Sequence, residues 1–135
     1  MAYSDKDLQV ATQIAYYDLN RANREYMKKH SNIGTPTLKE LLKQDSLNAD
    51  ANIKKSIDKN LHDAQAKNNT IDIQRFTKQE ELYNEIVYGN SPYGNWKIVD
   101  IRDTNSENGF YACTIETNSN STIVGFRGSE GNLNT

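Results

Sequence analysis

The stretch Ser121-Thr122-Ile123-Val124-Gly125-Phe126-Arg127-Gly128-Ser129 decides how this chain folds. Its middle, Thr122 to Phe126, is a short apolar run that reads as a buried strand, apolar on both faces. It passes directly into an arginine, a glycine and a serine. Working back, Asn118 to Ser121 is a polar turn, and Phe110 to Thr117 is a second strand with Tyr111, Cys113 and Ile115 on one side. Asn105 to Gly109 is a turn with an Asn-Gly step, and Trp96 to Arg102 is a further run rich in β-branched residues. Three strands joined by two tight turns predict an antiparallel meander over 96–127.

The texture changes upstream. Ser4 with Asp7 resembles a capping box, and Leu8, Ala11, Ile14, Ala15 and Leu19 recur at helical spacing. This helix is expected to continue through Ala22 and Tyr26 to about Lys29. Gly34 and Pro36 break the pattern, and Thr37 can cap a short helix bearing Leu38, Leu41 and Leu42. Ala51 to Lys67 carries one stripe, Ile53, Ile57, Leu61 and Ala64, on an otherwise polar helix that ends near Asn68-Asn69. Thr77 and Glu80 read as a second capping box before Leu82, Ile86 and Val87, with Gly89 closing that helix. The fold class is therefore α+β. About four helices in 1–89 precede a three-stranded antiparallel meander, forming a single domain over 1–135 or the N-terminal part of a larger one.

Bulk properties exclude several classes. A chain of 135 residues holds one domain and a real core, although mean hydropathy is only -0.85. A net charge of -2 and a pI near 5.7 give no reason to expect a nucleic-acid partner. Residues 1–76 carry 12 Lys/Arg against 10 Asp/Glu and the remainder 4 against 8, an asymmetry too mild to name a ligand. Nothing near the N-terminus resembles a secretory signal, and no run approaches the ~20 apolar residues of a membrane span. The expectation is a soluble protein, cytoplasmic by default, with export independent of a signal peptide as a further idea.

Candidate chemistry is sparse. Cys113 is the single cysteine and reads as a small buried thiol. His30 and His62 lack a second His or Cys at ligand spacing, and Asp72, Asp100, Asp103 and Glu107 are scattered. No metal site and no cofactor are expected. Gly89-Asn90-Ser91-Pro92-Tyr93-Gly94 looks slightly like a nucleophile elbow, but its second glycine falls one place late and it follows a helix, so it reads as a helix-to-strand turn.

Two readings of the Arg-Gly-Ser ending stay open on pattern alone. The strand reaches the surface and turns there, or it delivers a backbone N–H and a hydroxyl to an active-site rim. Ile123-Val124-Gly125-Phe126-Arg127-Gly128-Ser129 resembles the FRG(S/T) segment of the class 3 lipases, which are α/β-hydrolases. The strand–turn–strand–turn–strand run before it is similar to that family, as is Ile14-Ala15-Tyr16-Tyr17-Asp18-Leu19 to its LAY-x-D helix. About 40 residues are covered well, the first helix loosely, and residues 30–90 not at all. The resemblance implies that Ser129 supplies an oxyanion-hole N–H and hydroxyl, that Gly128 permits close approach, and that Arg127 anchors the loop.

Glu130-Gly131-Asn132 departs from the family's continuation. Family order places the nucleophile, acid and base after the oxyanion strand, and none of the three is found there. The resemblance thus implies the N-terminal portion, or a truncated relative, of a lipase- or esterase-like hydrolase acting on a lipid or ester, and inactive alone. The alternative is a small stand-alone α+β interaction module without enzymatic activity. The strand Thr122–Phe126, lacking later strands beside it, is expected to offer an open edge for self-association.

Overall fold

The computed structural model describes residues 4–30, 34–104 and 110–127. Five helices precede three strands: α1 Asp5–Ala15, α2 Leu19–Lys29, α3 Leu38–Ser46, α4 Ile53–Ala66, α5 Thr70–Tyr88, then β1 Lys97–Thr104, β2 Phe110–Glu116 and β3 Thr122–Arg127. A 3-10 turn over Pro92–Asn95 leads into β1. The sheet is an antiparallel meander in the order β1-β2-β3. The fold is α+β, as the sequence pattern predicts.

Local chemistry sets most boundaries. Ser4 and Asp7 form a reciprocal capping box at α1, as do Thr37 and Glu40 at α3. The single helix expected to reach Lys29 is instead two. Asp18 accepts from the Arg21 N–H and caps α2, while Tyr16-Tyr17 turns the chain between the helices. A side chain able to satisfy a fresh set of orphan N–H groups outweighs the continuing periodicity.

The capping box expected at Thr77 and Glu80 is also absent. Both residues lie inside α5, whose cap is Asn69, accepting from the Asp72 N–H. Asn68, at φ 54°, takes the left-handed turn that separates α4 from α5. The turn 105–109 lies outside the described residues. The one after β2 closes through Asn120 at φ 61°, with the Thr117 N–H donating to the Ser121 carbonyl at 2.8 Å.

The core lies between the helices and one face of the sheet. Tyr111, Cys113 and Ile115 point inward from β2, and Ile98 and Ile123 flank them. The central Ile115 is fully buried, and its truncation to Ala would cost about 2–5 kcal/mol. β3 is not buried on both faces. It is an edge strand whose inner side, Ile123 and Gly125, meets α1, while Val124 and Phe126 are 45% and 54% exposed on the outer side. The apolar run therefore marks two different environments: helix contact inside and open sheet surface outside.

The opposite edge is partly covered. The Leu38 N–H donates to the Trp96 carbonyl at 2.7 Å, and Thr37 bridges to Lys97. β1 is further irregular at Val99, where the register slips between Ile98 and Asp100. Among the described residues, no helix is long and apolar enough to cross a membrane.

Candidate functional site

Strand alternation sets the described part of the candidate site. Arg127 is paired with Tyr111 across the β2–β3 ladder, so it leaves the sheet on the α1 side. Its guanidinium carbon lies 3.9 Å from the centroid of the Tyr111 ring, a cation–π contact. Nε donates to the Ala15 carbonyl at 3.1 Å and Nη2 to the Tyr17 carbonyl at 3.2 Å.

Those carbonyls sit at and just beyond the end of α1, the negative pole of a helix whose last turn carries no basic residue of its own. Arg127 supplies the missing cation from more than a hundred residues away. Lysine, a compact point charge, lacks the planar fork that sets two separate nitrogens against the two oxygens.

Surrounding residues hold this clamp. An added Cβ on Gly125 would fall 2.5 Å from the Ala11 carbonyl oxygen and 3.5 Å from the Ala15 Cβ. Glycine at 125 with alanine at 11 and 15 thus allows α1 to lie directly on β3. Tyr17 donates from its buried hydroxyl to the Gln79 carbonyl at 2.7 Å, fastening the α1–α2 turn to α5. Its phenol is driven well above the usual range, first by burial and then by Tyr83 and Glu85 nearby. The Tyr111 phenol is also raised, chiefly by burial, against the opposing pull of Arg127. The Tyr111 hydroxyl finds no hydrogen-bond partner among the described residues. Tyr16 lies between two guanidiniums, with Arg75 5.6 Å and Arg127 6.0 Å from its ring centroid.

Of the residues the sequence singles out, the structure thus brings Arg127 against the Ile14–Leu19 segment. Gly128 and Ser129 lie outside the described residues. His30 caps the end of α2 and stacks on Tyr26 at 4.3 Å between centroids, while His62 is exposed on α4. The Cys113 thiol is buried and pushed up to about 11, first by desolvation, which leaves no appreciable thiolate near neutral pH. Among the described residues no cluster of His, Cys, Asp or Glu could hold a metal ion. The Gly89–Gly94 segment runs from the cap of α5 into the 3-10 turn, so Ser91 is a cap, accepting from the Tyr93 N–H, and stands on no strand-to-helix elbow.

Two features escape the sequence pattern. A buried ion pair joins Arg21 Nη2 to Asp45 Oδ1 at 3.1 Å, and Asp45 Oδ2 accepts from the Ile53 N–H at 2.6 Å, capping α4 from α3. A groove of about 620 Å³ opens between the ends of α2, α3 and α5. An aspartate within an amphipathic helix looks like any solvated residue, and a groove between three helices leaves no local signature. Scans of this chain against protein-family models, curated proteins and solved structures returned no match.

Proposed function

We propose that this chain is the N-terminal part of a lipase- or esterase-like serine hydrolase domain. Its last strand presents half of an oxyanion hole at Gly128 and Ser129. One observation carries the reading. The Arg127 fork joins the two segments that resemble class 3 lipases, binding the strand end Phe126-Arg127 to the Ala15 and Tyr17 carbonyls. An oxyanion donor stabilises a transition state only if it is held rigidly where charge develops, and a guanidinium with two carbonyl acceptors restrains the backbone immediately before Gly128.

The chain supplies no triad in family order, since His30 and His62 both precede β3. It is therefore inactive alone, and the lipid or ester substrate belongs to the longer enzyme. There, β3's outer edge is where the next strand of the sheet adds; in its absence a second copy competes for the same edge, which light scattering would detect.

The test is active-site labelling. Residues 1–135, and the product of whatever reading frame extends past Thr135, are treated with a fluorophosphonate and assayed on a p-nitrophenyl ester. Labelling and turnover are expected only in the longer product, where Ser129→Ala lowers kcat by ~10²–10³ while changing KM little. An unlabelled longer product, or Ser129-independent turnover by 1–135, would refute the proposal. The second reading, an interaction module without activity, is favoured by the apolar outer sheet surface of Val99, Val124 and Phe126.

A further inference from the structure

The two carbonyls that Arg127 grips belong to Ala15 and Tyr17, on either side of Tyr16 in the turn between α1 and α2. A turn has no repeating backbone ladder, so where its carbonyls point depends on what its side chains touch. Here both touch one helix. The Tyr16 ring meets Arg75, whose guanidinium carbon is 5.6 Å from the ring centroid, and the buried Tyr17 hydroxyl donates to the Gln79 carbonyl. Positions 75 and 79 are four apart and share a face of α5. That face therefore grips the turn that carries both acceptors.

Arg75 is also part of a longer stack. Its guanidinium carbon lies 4.8 Å from the centroid of the Phe76 ring, and Asp72, one turn back, pairs with it at 3.6 Å. Ordering a half-exposed arginine costs side-chain entropy, and these two neighbours offset part of that cost. Beyond Tyr16 the stack continues to Arg127 at 6.0 Å, and from Arg127 to the Tyr111 ring at 3.9 Å. Rings and cations thus alternate from Phe76 on α5 to Tyr111 on β2. Each step is attractive, because the face of an aromatic ring carries negative charge density.

We propose that Arg75 and Tyr16 are positioning residues for the end of β3. By fixing the α1–α2 turn they fix the two carbonyls that set the Arg127 guanidinium, and through Arg127 they act on the backbone just before Gly128. The catalytic consequence rests on the hydrolase reading. The coupling of Arg75 to Arg127 does not, and it can be measured in the 135-residue chain by itself.

The test follows solvent exchange of the Arg127 Nε–H by nuclear magnetic resonance. Arg75→Ala alters a side chain that is 47% exposed. It should speed that exchange about tenfold, with Tm and the helical circular dichroism unchanged. Tyr16→Leu should also speed it, and Tyr16→Phe, which keeps the ring, should not. Lys78→Ala removes another exposed cation of α5 and should leave exchange as it was. Unchanged exchange in both Arg75→Ala and Tyr16→Leu would overturn the inference, as would equal acceleration in Lys78→Ala. In the longer product, Arg75→Ala should lower kcat several-fold with KM unchanged, and an effect on KM alone would overturn the positioning role. A longer product that does not react with the fluorophosphonate counts against the hydrolase reading alone, because the exchange measurement needs no activity.

Discussion

Gly125→Ala tests the packing of the first helix on the last strand, and its sign is the informative part. In a strand open on that side, replacing glycine by alanine removes backbone freedom from the unfolded chain and stabilises by about 0.5–1 kcal/mol. Here the new methyl would sit 2.5 Å from the Ala11 carbonyl oxygen, roughly 1 Å inside ordinary contact. The obstacle is helix backbone, which cannot rotate aside as a side chain would. Either α1 lifts from β3 or the strand bows outward, and overpacking of this kind costs about 1–3 kcal/mol.

Taking the upper part of that range against the entropic gain leaves a net loss of about 2 kcal/mol. For 135 residues the unfolding entropy is about 0.28 kcal/mol/K near the transition, so Tm should fall by about 7 °C. Gly34→Ala, where nothing lies within 4 Å of the new Cβ, is the control and should not fall. Thermal unfolding followed by circular dichroism reads both. A Tm that is unchanged or raised in Gly125→Ala would mean that α1 does not rest on β3, and the account of the Arg127 clamp would fall with it.

Arg127→Lys should destabilise by about 2 kcal/mol in urea, close to Arg127→Ala, because an ammonium has no planar fork to hold both carbonyls and cannot lie flat on Tyr111. Full rescue by lysine would show that charge alone matters. Asp45→Asn breaks the pair with Arg21, whose side chain is 21% exposed, but also removes a carboxylate whose burial Arg21 and the Ile53 N–H do not fully offset, so the net change at neutral pH should stay within about 1 kcal/mol. Burial raises the Asp45 carboxyl above its usual range despite the Ile53 N–H and Arg21. Its contribution is therefore full below the unfolded value and declines as pH climbs through the folded one, a slope that the Asn variant should lack in urea melts. Tyr17, Tyr83 and Tyr111 are all raised chiefly by burial, Tyr83 to about 12. Stability should therefore fall as pH rises above about 10, the unfolded phenol value, and near-ultraviolet titration should find these phenols un-ionised until the protein unfolds.

Which parts of this molecule can be read from residues alone follows from the range of the interactions involved. The meander was legible because turn chemistry and alternation act within a few residues: Tyr111, Cys113 and Ile115 fall on the buried face as their spacing requires. The caps at Ser4 and Thr37 were legible for the same reason. The helix break at Asp18 competes with an unbroken apolar stripe, and spacing alone cannot weigh one side-chain cap against continued periodicity. Thr77 and Glu80 have the right separation for a box but sit in a helix already started at Asn69. The exposed side of β3 is not marked by the sequence pattern, because Val124 and Phe126 are apolar wherever they point. At the candidate site, strand register places Arg127 beside Tyr111, but no local pattern indicates that its acceptors are the carbonyls of Ala15 and Tyr17.

The Arg127 bond to Ala15 spans 112 residues of sequence, which bears on how the chain folds as it is made. At roughly 5–20 residues per second, the first helix leaves the ribosome some 6–20 seconds before the strand that seats it. During that interval its apolar side has no sheet to cover it, and the carbonyls at its end have only water. An isolated helix of 11 residues is marginal under those conditions. The N-terminal segment is therefore a standing substrate for chaperones or proteases until synthesis reaches β3, and slowing translation late in the message should lower the yield of folded protein without altering the finished molecule.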